Sequence, residues 1–289
     1  MMQQLFRLAG RVLPLLPPRV RWLLVLAGGC VASRVNRSGR LVATQNIGGL
    51  LGASPRSGVV RYIVRRMYRN HAANYVDLFL VPSRTREEML QMTSVSGMEH
   101  LHAARASGTG AILATAHLGN TEYAGHALVT RGVPCAILTE PVEPAWLLEF
   151  FIKNREEFSA EVIPYRPGIF PTLTATLKRN VSLGIATDWD LQGTGVPVRC
   201  GHGRLLMPAG LAMLAIRTHA VILPTFGLRR ADGTIAVSIE PPLNVQTTGR
   251  IKEDVQRISQ AMADVLGRYL LRYPDQWWLF HPVWQTDYR

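Results

Sequence analysis

The segment ATAHLGNTEYAG (114–125) carries a histidine and a glutamate at a spacing suited to acid–base chemistry. His117 ends a short apolar run, and Glu122 follows after four intervening residues, in what reads as the first turn of a helix. A carboxylate so placed can reach an imidazole nitrogen, fix the tautomer and stabilise the imidazolium, leaving the other nitrogen as a general base. No serine or cysteine stands in a nucleophile-elbow pattern nearby, so the pair suits direct activation of a substrate hydroxyl. Gly119 permits close approach of a ligand, and the adjoining helix amides can hold an oxyanion. Of the eight histidines only His117 has an acid at this spacing. The competing reading is structural: a histidine at a sheet edge and a glutamate that favours a helix N-terminus.

Other polar residues are candidates for binding. Asp188 and Asp190 in TDWDLQGTGVPV (187–198) follow a predicted strand and can bind a cation, orient an arginine or hold a polar substrate; the alternative is a solvated turn. Two aspartates without further ligands do not make a metal site. Arg155 in FIKNREEF and Arg166 in IPYRPG are candidate phosphate binders, although Arg155 taken alone reads as pairing with Glu156 or a neighbouring helix. The aromatic tail YPDQWWLFHPVWQ (273–285) suits a membrane interface, a sugar-stacking surface or a plain core.

The elements that must position these groups alternate. Strand patterns at 111–116, 134–138, 160–164, 181–187, 220–225 and 234–239 are interleaved with helical patterns at 121–130, 144–158, 170–179 and 208–218. Helical patterns at 58–80 and 85–92 precede them, and an amphipathic helix over 251–272 follows. This order predicts an α/β fold: a mostly parallel central sheet with helices on both faces and ligands bound at the carboxyl ends of its strands.

The 289 residues are 47% hydrophobic, enough for a large core, which excludes a disordered or disulfide-stapled chain. Cys30, Cys135 and Cys200 are far apart and read as reduced thiols. The net charge of +12 is localised: residues 1–70 hold twelve arginines, no lysine and no acid, while the rest is balanced at 20 basic and 20 acidic groups. Such a patch seeks an anionic partner. The signatures of nucleic-acid binding are absent, with only three lysines in the chain. Apolar stretches at 12–16 and 22–32 are too short to span a bilayer. Broken by prolines and arginines, they fit a signal peptide poorly; a transit peptide is a lesser alternative. Residues 1–60 therefore read as a basic amphipathic helical anchor on an anionic membrane surface, and 61–289 as a single α/β domain.

The box His117-Leu-Gly-Asn-Thr-Glu122 resembles the H-x4-D/E box of lysophospholipid-type acyltransferases. More narrowly it resembles the bacterial branch of late lipid A acyltransferases and mycobacterial phosphatidylinositol mannoside acyltransferases. Arg166 after Val-Ile-Pro, the D-x-D at 188–190, MPAGLAMLAIRTHAVILP (207–224) and the Pro-x-Gln-Trp…Pro-Val-Trp tail at 274–284 match in order, so the resemblance covers roughly residues 10–285. It departs at Cys200-Gly201-His202, where the branch often has Phe-Phe-Gly. The resemblance implies an O-acyltransferase on the cytoplasmic face of the bacterial inner membrane, peripheral or monotopic. It would move a fatty acyl group from acyl-CoA or acyl carrier protein to a glycolipid hydroxyl. His117 would be the base, Glu122 its orienting acid, and Gly119, Asn120, Arg155, Arg166, Asp188 and Asp190 substrate-binding residues. No metal and no cofactor beyond the thioester substrate is implied. A lipid-binding or transfer protein and an acyl-thioesterase or esterase are the alternatives on the same scaffold.

Overall fold

The computed structural model describes residues 2–156 and 160–285. Three helices open the chain: α1 (Met2–Val12), α2 (Pro18–Val35) and α3 (Arg37–Leu51). The proline pair sets where α2 begins, since Pro18 occupies its first position, where a missing N–H costs nothing. Next comes the long α4 (Gly58–Leu80), capped by the Ser57 side chain accepting from the Val60 amide. α5 (Arg86–Met92), with a reciprocal Thr85–Glu88 capping box, follows it.

The βα alternation then runs through β1 (Thr93–Ser96), α6 (Met98–Arg105), β2 (Ile112–Thr115), α7 (Thr121–Thr130), β3 (Cys135–Thr139), α8 (Ala145–Glu156), β4 (Glu161–Pro164), α9 (Phe170–Lys178) and β5 (Ser182–Ala186). A hairpin of β6 (Val196–Cys200) and β7 (Gly203–Met207) interrupts it. The chain resumes with α10 (Gly210–Thr218), β8 (Ile222–Arg229), β9 (Ile235–Ile239) and α11 (Ile251–Arg272). The helix expected over 144–158 is seen as α8, and its residues 157–158 lie outside the described residues.

The main sheet has the order β1-β9-β8-β2-β5-β3-β4 and is parallel except at β8–β9. All six expected strands are present, flanked by helices, as the α/β reading requires. Besides α6, which no helical pattern announced, two strand features were not expected. β1 is a four-residue edge strand, too short to show an alternating pattern, and β6–β7 form a separate antiparallel pair. β8 also runs four residues past its expected end, because residues 226–229 pair antiparallel with β9.

One core spans most of the layers. Ala43, Ile47 and Leu50 of α3 are buried together with Val198 and Leu205 of the hairpin and Ile258, Met262 and Leu266 of α11. The second half of the basic N-terminal region is therefore packed into the body. Among the described residues, no helix is long and apolar enough to cross a membrane.

Candidate active site

The sheet register brings the central pair together. β2 and β5 are parallel neighbours with Thr115 opposite Ala186. Two residues further along each strand stand His117 and Asp188, both just past the carboxyl ends. Thr187 extends the ladder, its amide and hydroxyl both donating to the Thr115 carbonyl (2.9 and 3.0 Å).

His117 Nδ1 donates to Asp188 Oδ1 at 2.9 Å, while the His117 backbone amide (3.0 Å) and the Trp277 indole (2.9 Å) donate to Oδ2. A carboxylate with three donors stays ionised and can only accept. Nδ1 therefore carries the proton and Nε2 keeps its lone pair. Burial opposes ionisation of Asp188, but the charge and hydrogen bonds of His117 and the Trp277 bond outweigh it and hold its pKa below the usual carboxylate range. Burial also opposes the imidazolium, yet the charge and hydrogen bond of Asp188, helped by Glu140, raise the His117 pKa above its ordinary value. A second histidine, His71, stacks on Trp278 behind the site (5.1 Å between ring centroids). Burial, with the nearby His117, pushes its pKa down to about 4 and keeps it neutral.

The partner expected for His117 was Glu122, and the structure corrects this. Glu122 is bound by the Arg155 guanidinium, Nε donating to Oε2 at 3.0 Å and Nη2 to Oε1, while Nη1 donates to Thr139 Oγ1 at the end of β3. Both side chains are about six-sevenths buried, at 15% and 13% exposure. Burial would raise the Glu122 pKa, but Arg155 more than offsets it, so Glu122 stays ionised. The structural reason is direction: the first turn of α7 faces α8, and the acid that reaches the imidazole comes from the neighbouring strand.

Gly119 and Asn120 build the turn between β2 and α7. Asn120 is buried, its Nδ2 donating to Asp77 Oδ2 (2.8 Å) and its Oδ1 capping α7 by accepting from the Tyr123 amide (2.9 Å). Both ends of its side chain are thus used within the protein. Gly119 has φ +67°, and a Cβ there would lie 2.0 Å from the Gly227 carbonyl oxygen. Its own carbonyl accepts from Asn74 Nδ2 (2.6 Å) and Trp278 Nε1 (2.8 Å). Here glycine allows two backbone segments to meet, rather than a ligand to approach. Gly119→Ala is expected to lower stability by about 3 kcal/mol or more, read from the urea unfolding midpoint, because strain and overlap coincide. An unchanged midpoint would contradict this account of the turn.

Behind the turn, Arg229 binds Asp77 and donates to Asn74 Oδ1 (2.8 Å). The Leu118, Gly119 and Asn120 amides donate to the Ala116, Gln276 and Gly227 carbonyls, so they are closed to an oxyanion. The amides left at the mouth of α7 belong to Thr121 and Glu122, its first two residues.

One cavity reaches His117, and a second lies beside it. One, of about 280 Å³, runs under α7 and is walled by Leu113, Leu128, Ile137, Leu138 and Gly184, with His117, Glu122 and Arg155 at its polar end. Cys135 lies in its wall, its thiol pushed up to about 12 by burial and so unable to act as a nucleophile at neutral pH. The other cavity, about 430 Å³, is rimmed by Arg166, Asp190 and Arg217 and floored by Tyr165, Phe170 and Trp189. Asp190 also holds its own loop, accepting from the amides of Gln192 and Gly195. The cavities share Leu138, Glu140 and Ala186.

Several residues of this centre escaped the sequence reading. Asp77 was visible as the first acid of the chain, but nothing tied it to Asn120 or Arg229. The aromatic tail serves the third of its readings, as core: Trp277 is 1% exposed and bonds Asp188, Trp278 pins the Gly119 carbonyl, and Trp284 donates to the Asn46 carbonyl (2.9 Å). Asn74 and Glu140 gave no signal beyond their types.

A profile of the family described as bacterial lipid A biosynthesis acyltransferase matches residues 3–286. The phosphatidylinositol mannoside acyltransferase of Mycobacterium tuberculosis is 30% identical over 248 residues, covering 84% of this chain and 76% of the relative. Its counterpart in Mycolicibacterium smegmatis is 29% identical over 246 residues, 84% of this chain and 79% of the relative. A lipid A biosynthesis acyltransferase of Haemophilus influenzae is 22% identical over 196 residues, 67% of this chain and 59% of the relative. The aligned region includes the His117 turn, Asp188 and the tryptophan tail, since the family match covers them all, and the chain belongs to the bacterial lipid A biosynthesis acyltransferase family.

Proposed function

We propose that this acyltransferase moves a fatty acyl group from an acyl thioester, carried by coenzyme A or acyl carrier protein, to a sugar hydroxyl of a membrane glycolipid. The observation that carries the reading is His117, whose Nε2 is left as a base by the Asp188 bond at Nδ1, at the mouth of an apolar cavity without an activated nucleophile. The acyl chain lies in that cavity, and the sugar lies in the aromatic and charged one beside it. The acceptor hydroxyl gives its proton to Nε2 as its oxygen attacks the thioester carbonyl. The oxyanion gains from the first-turn amides of α7, the carbon–sulfur bond breaks, and the imidazolium returns the proton to the leaving thiolate. Asp188 orients the ring and stabilises its cation. Arg155 and Glu122 hold the polar end of the acyl cavity together. The mannoside-acylating relatives, similar over more of the chain, favour a phosphatidylinositol mannoside-type acceptor over a lipid A-type one.

The protein sits on the cytoplasmic face of the inner membrane without spanning it. Exposed Leu5, Leu8, Leu15, Trp22 and Leu23 on the first two helices and the turn between them, interleaved with arginines, support this placement.

The test is thiol release from an acyl thioester with and without extracted glycolipid, with products followed by mass. Lipid-dependent release with a new acylated glycolipid is expected. Free fatty acid regardless of lipid would make the protein a thioesterase, and lipid binding without thiol release would make it a carrier. The same assay has an expected pH profile. Neutral His117 is the active form, so kcat/KM rises with pH along an acidic limb centred above 6.5, since Asp188 favours the protonated ring. A limb centred below 6.5 would contradict that electrostatic picture.

A further inference from the structure

The arginines of the N-terminal quarter are gathered rather than scattered. A cavity of about 660 Å³ between α2, α3 and α4 is lined by Arg34, Arg40, Arg61, Arg65, Arg66 and Arg69, and no carboxylate lines it. Arg66 is neutralised by Asp275 (2.8 Å), which leaves five uncompensated cations around one hollow. Arg40 is fixed by donating to the Ser33 carbonyl (2.6 Å) at the end of α2, and Arg34 by donating to the Cys30 carbonyl (3.2 Å). Arg61, Arg65 and Arg69 follow one another at i, i+4 and i+8 on α4. Among the described residues, their guanidinium groups have no hydrogen-bond or ion-pair partner.

Like charges at that spacing oppose a helix, and no carboxylate among the described residues pairs with them. The helices are brought together by a glycine: a Cβ at Gly29 would lie 2.8 Å from Arg69 Cα, so α2 can rest on α4 only because position 29 lacks one. The fold thus brings α2 against the arginine ladder and adds to the repulsion. This is the architecture of an anion site.

We infer that this cavity binds the phosphate of an anionic phospholipid headgroup in the bilayer, an inference that rests on the membrane placement proposed above and makes it specific. Two observations select a lipid phosphate. All the basic groups are arginines, whose planar forks match phosphate oxygens in pairs. Exposed apolar side chains lie close to it in the chain: Tyr62, which lines the cavity, is 58% exposed, and Val31 and Val35 of α2 and Val59 of α4, each within one helical turn of a lining residue, are 58%, 71% and 64% exposed. An amphiphile fits this border, with its phosphate among the guanidinium groups and its glycerol and upper chains against the valines and Tyr62. The cavity is also tied to the catalytic turn. Arg65 lies about 13 Å along α4 from Asn74, which holds the Gly119 carbonyl, so a lipid seated there sets the site at a defined height over the membrane.

The experiment is flotation of the full chain with phosphatidylcholine vesicles whose negative charge comes either from phosphatidylglycerol or, matched for surface potential, from oleate. The wild type is expected to bind the phosphatidylglycerol vesicles at least tenfold more tightly than the oleate ones. Arg61→Gln/Arg65→Gln/Arg69→Gln is expected to abolish that preference, while Arg7→Gln/Arg11→Gln/Arg19→Gln, which removes the same charge from α1 and the start of α2, keeps it. Equal losses in the two triple variants, or no preference in the wild type, would overturn the proposal and leave only diffuse attraction. The wild-type comparison reads this without any variant, and thermal unfolding of the first triple variant guards against misfolding. Release of the wild type from phosphatidylglycerol vesicles by millimolar inorganic phosphate would assign the cavity to a free anion and overturn the lipid. Binding is read without turnover, and His117→Ala is expected to float like the wild type. Failure here therefore leaves the acyl-transfer reading standing, and failure of that reading leaves this one measurable.

Discussion

His117→Ala is expected to lower kcat for lipid acylation by roughly 10²–10⁴-fold, the range for losing a general base, with little change in the unfolding midpoint. Asp188→Asn should come close to it. An asparagine retains the size and one acceptor, but its NH₂ faces either the ring Nδ1 or the two N–H donors at Oδ2, and it brings no negative charge. The tautomer is no longer fixed with Nε2 free, and the imidazolium that forms in the transition state loses its counter-charge. The pH profile separates this from a packing defect. Asp188 is the main group raising the His117 pKa against burial, so its neutralisation lets burial dominate and moves the acidic limb to lower pH while the plateau falls. A lower plateau with an unmoved limb would mean that Asp188 acts on the fold and not on the base. Full turnover in His117→Ala would remove the base from the mechanism.

Glu122→Gln tests the other half of the box, and its largest expected effect is on stability. It leaves the Arg155 guanidinium about 13% exposed and without its carboxylate; breaking a buried pair from one side costs about 3–5 kcal/mol. The expected fall in Tm is roughly 6–15 °C, with activity declining as the wall of the acyl cavity loosens. Replacing both partners by apolar residues, Glu122→Leu with Arg155→Met, should recover much of the stability, because no unpaired charge remains. If instead Glu122→Gln kept the wild-type Tm and shifted the acidic limb as Asp188→Asn does, Glu122 would be the acid acting on His117 in solution. Opposite signatures in the same two measurements thus decide between the two carboxylates.

What could be read without coordinates was local or repetitive. Strands at 111–116 and 181–187 and helices at 121–130 and 251–272 follow from patterns within one element, where backbone hydrogen bonding imposes a period of 2 or 3.6 on the buried side chains. His117 was identifiable for the same reason, as a titratable residue where an apolar strand ends and a helix begins, and the charge asymmetry needed only counting. The four-residue β1 and the β6–β7 hairpin left too little periodicity to be found.

The partner of His117 was not local. Glu122 is five positions away in the chain but lies on a helix that turns toward α8; Asp188 is 71 positions away but only one strand over. That adjacency exists because β5 pairs between β2 and β3, a choice made by how four parallel crossovers and their helices bury apolar surface together, and no residue near 117 or 188 encodes it alone. The same holds for the tail, whose tryptophans suited a membrane, a sugar or a core until the fold carried Trp277 to Asp188 and Trp278 to Gly119. The sequence determined which residues have the chemistry and which segments hold them. Only tertiary packing, which sets strand order and register, decided which acid meets which base.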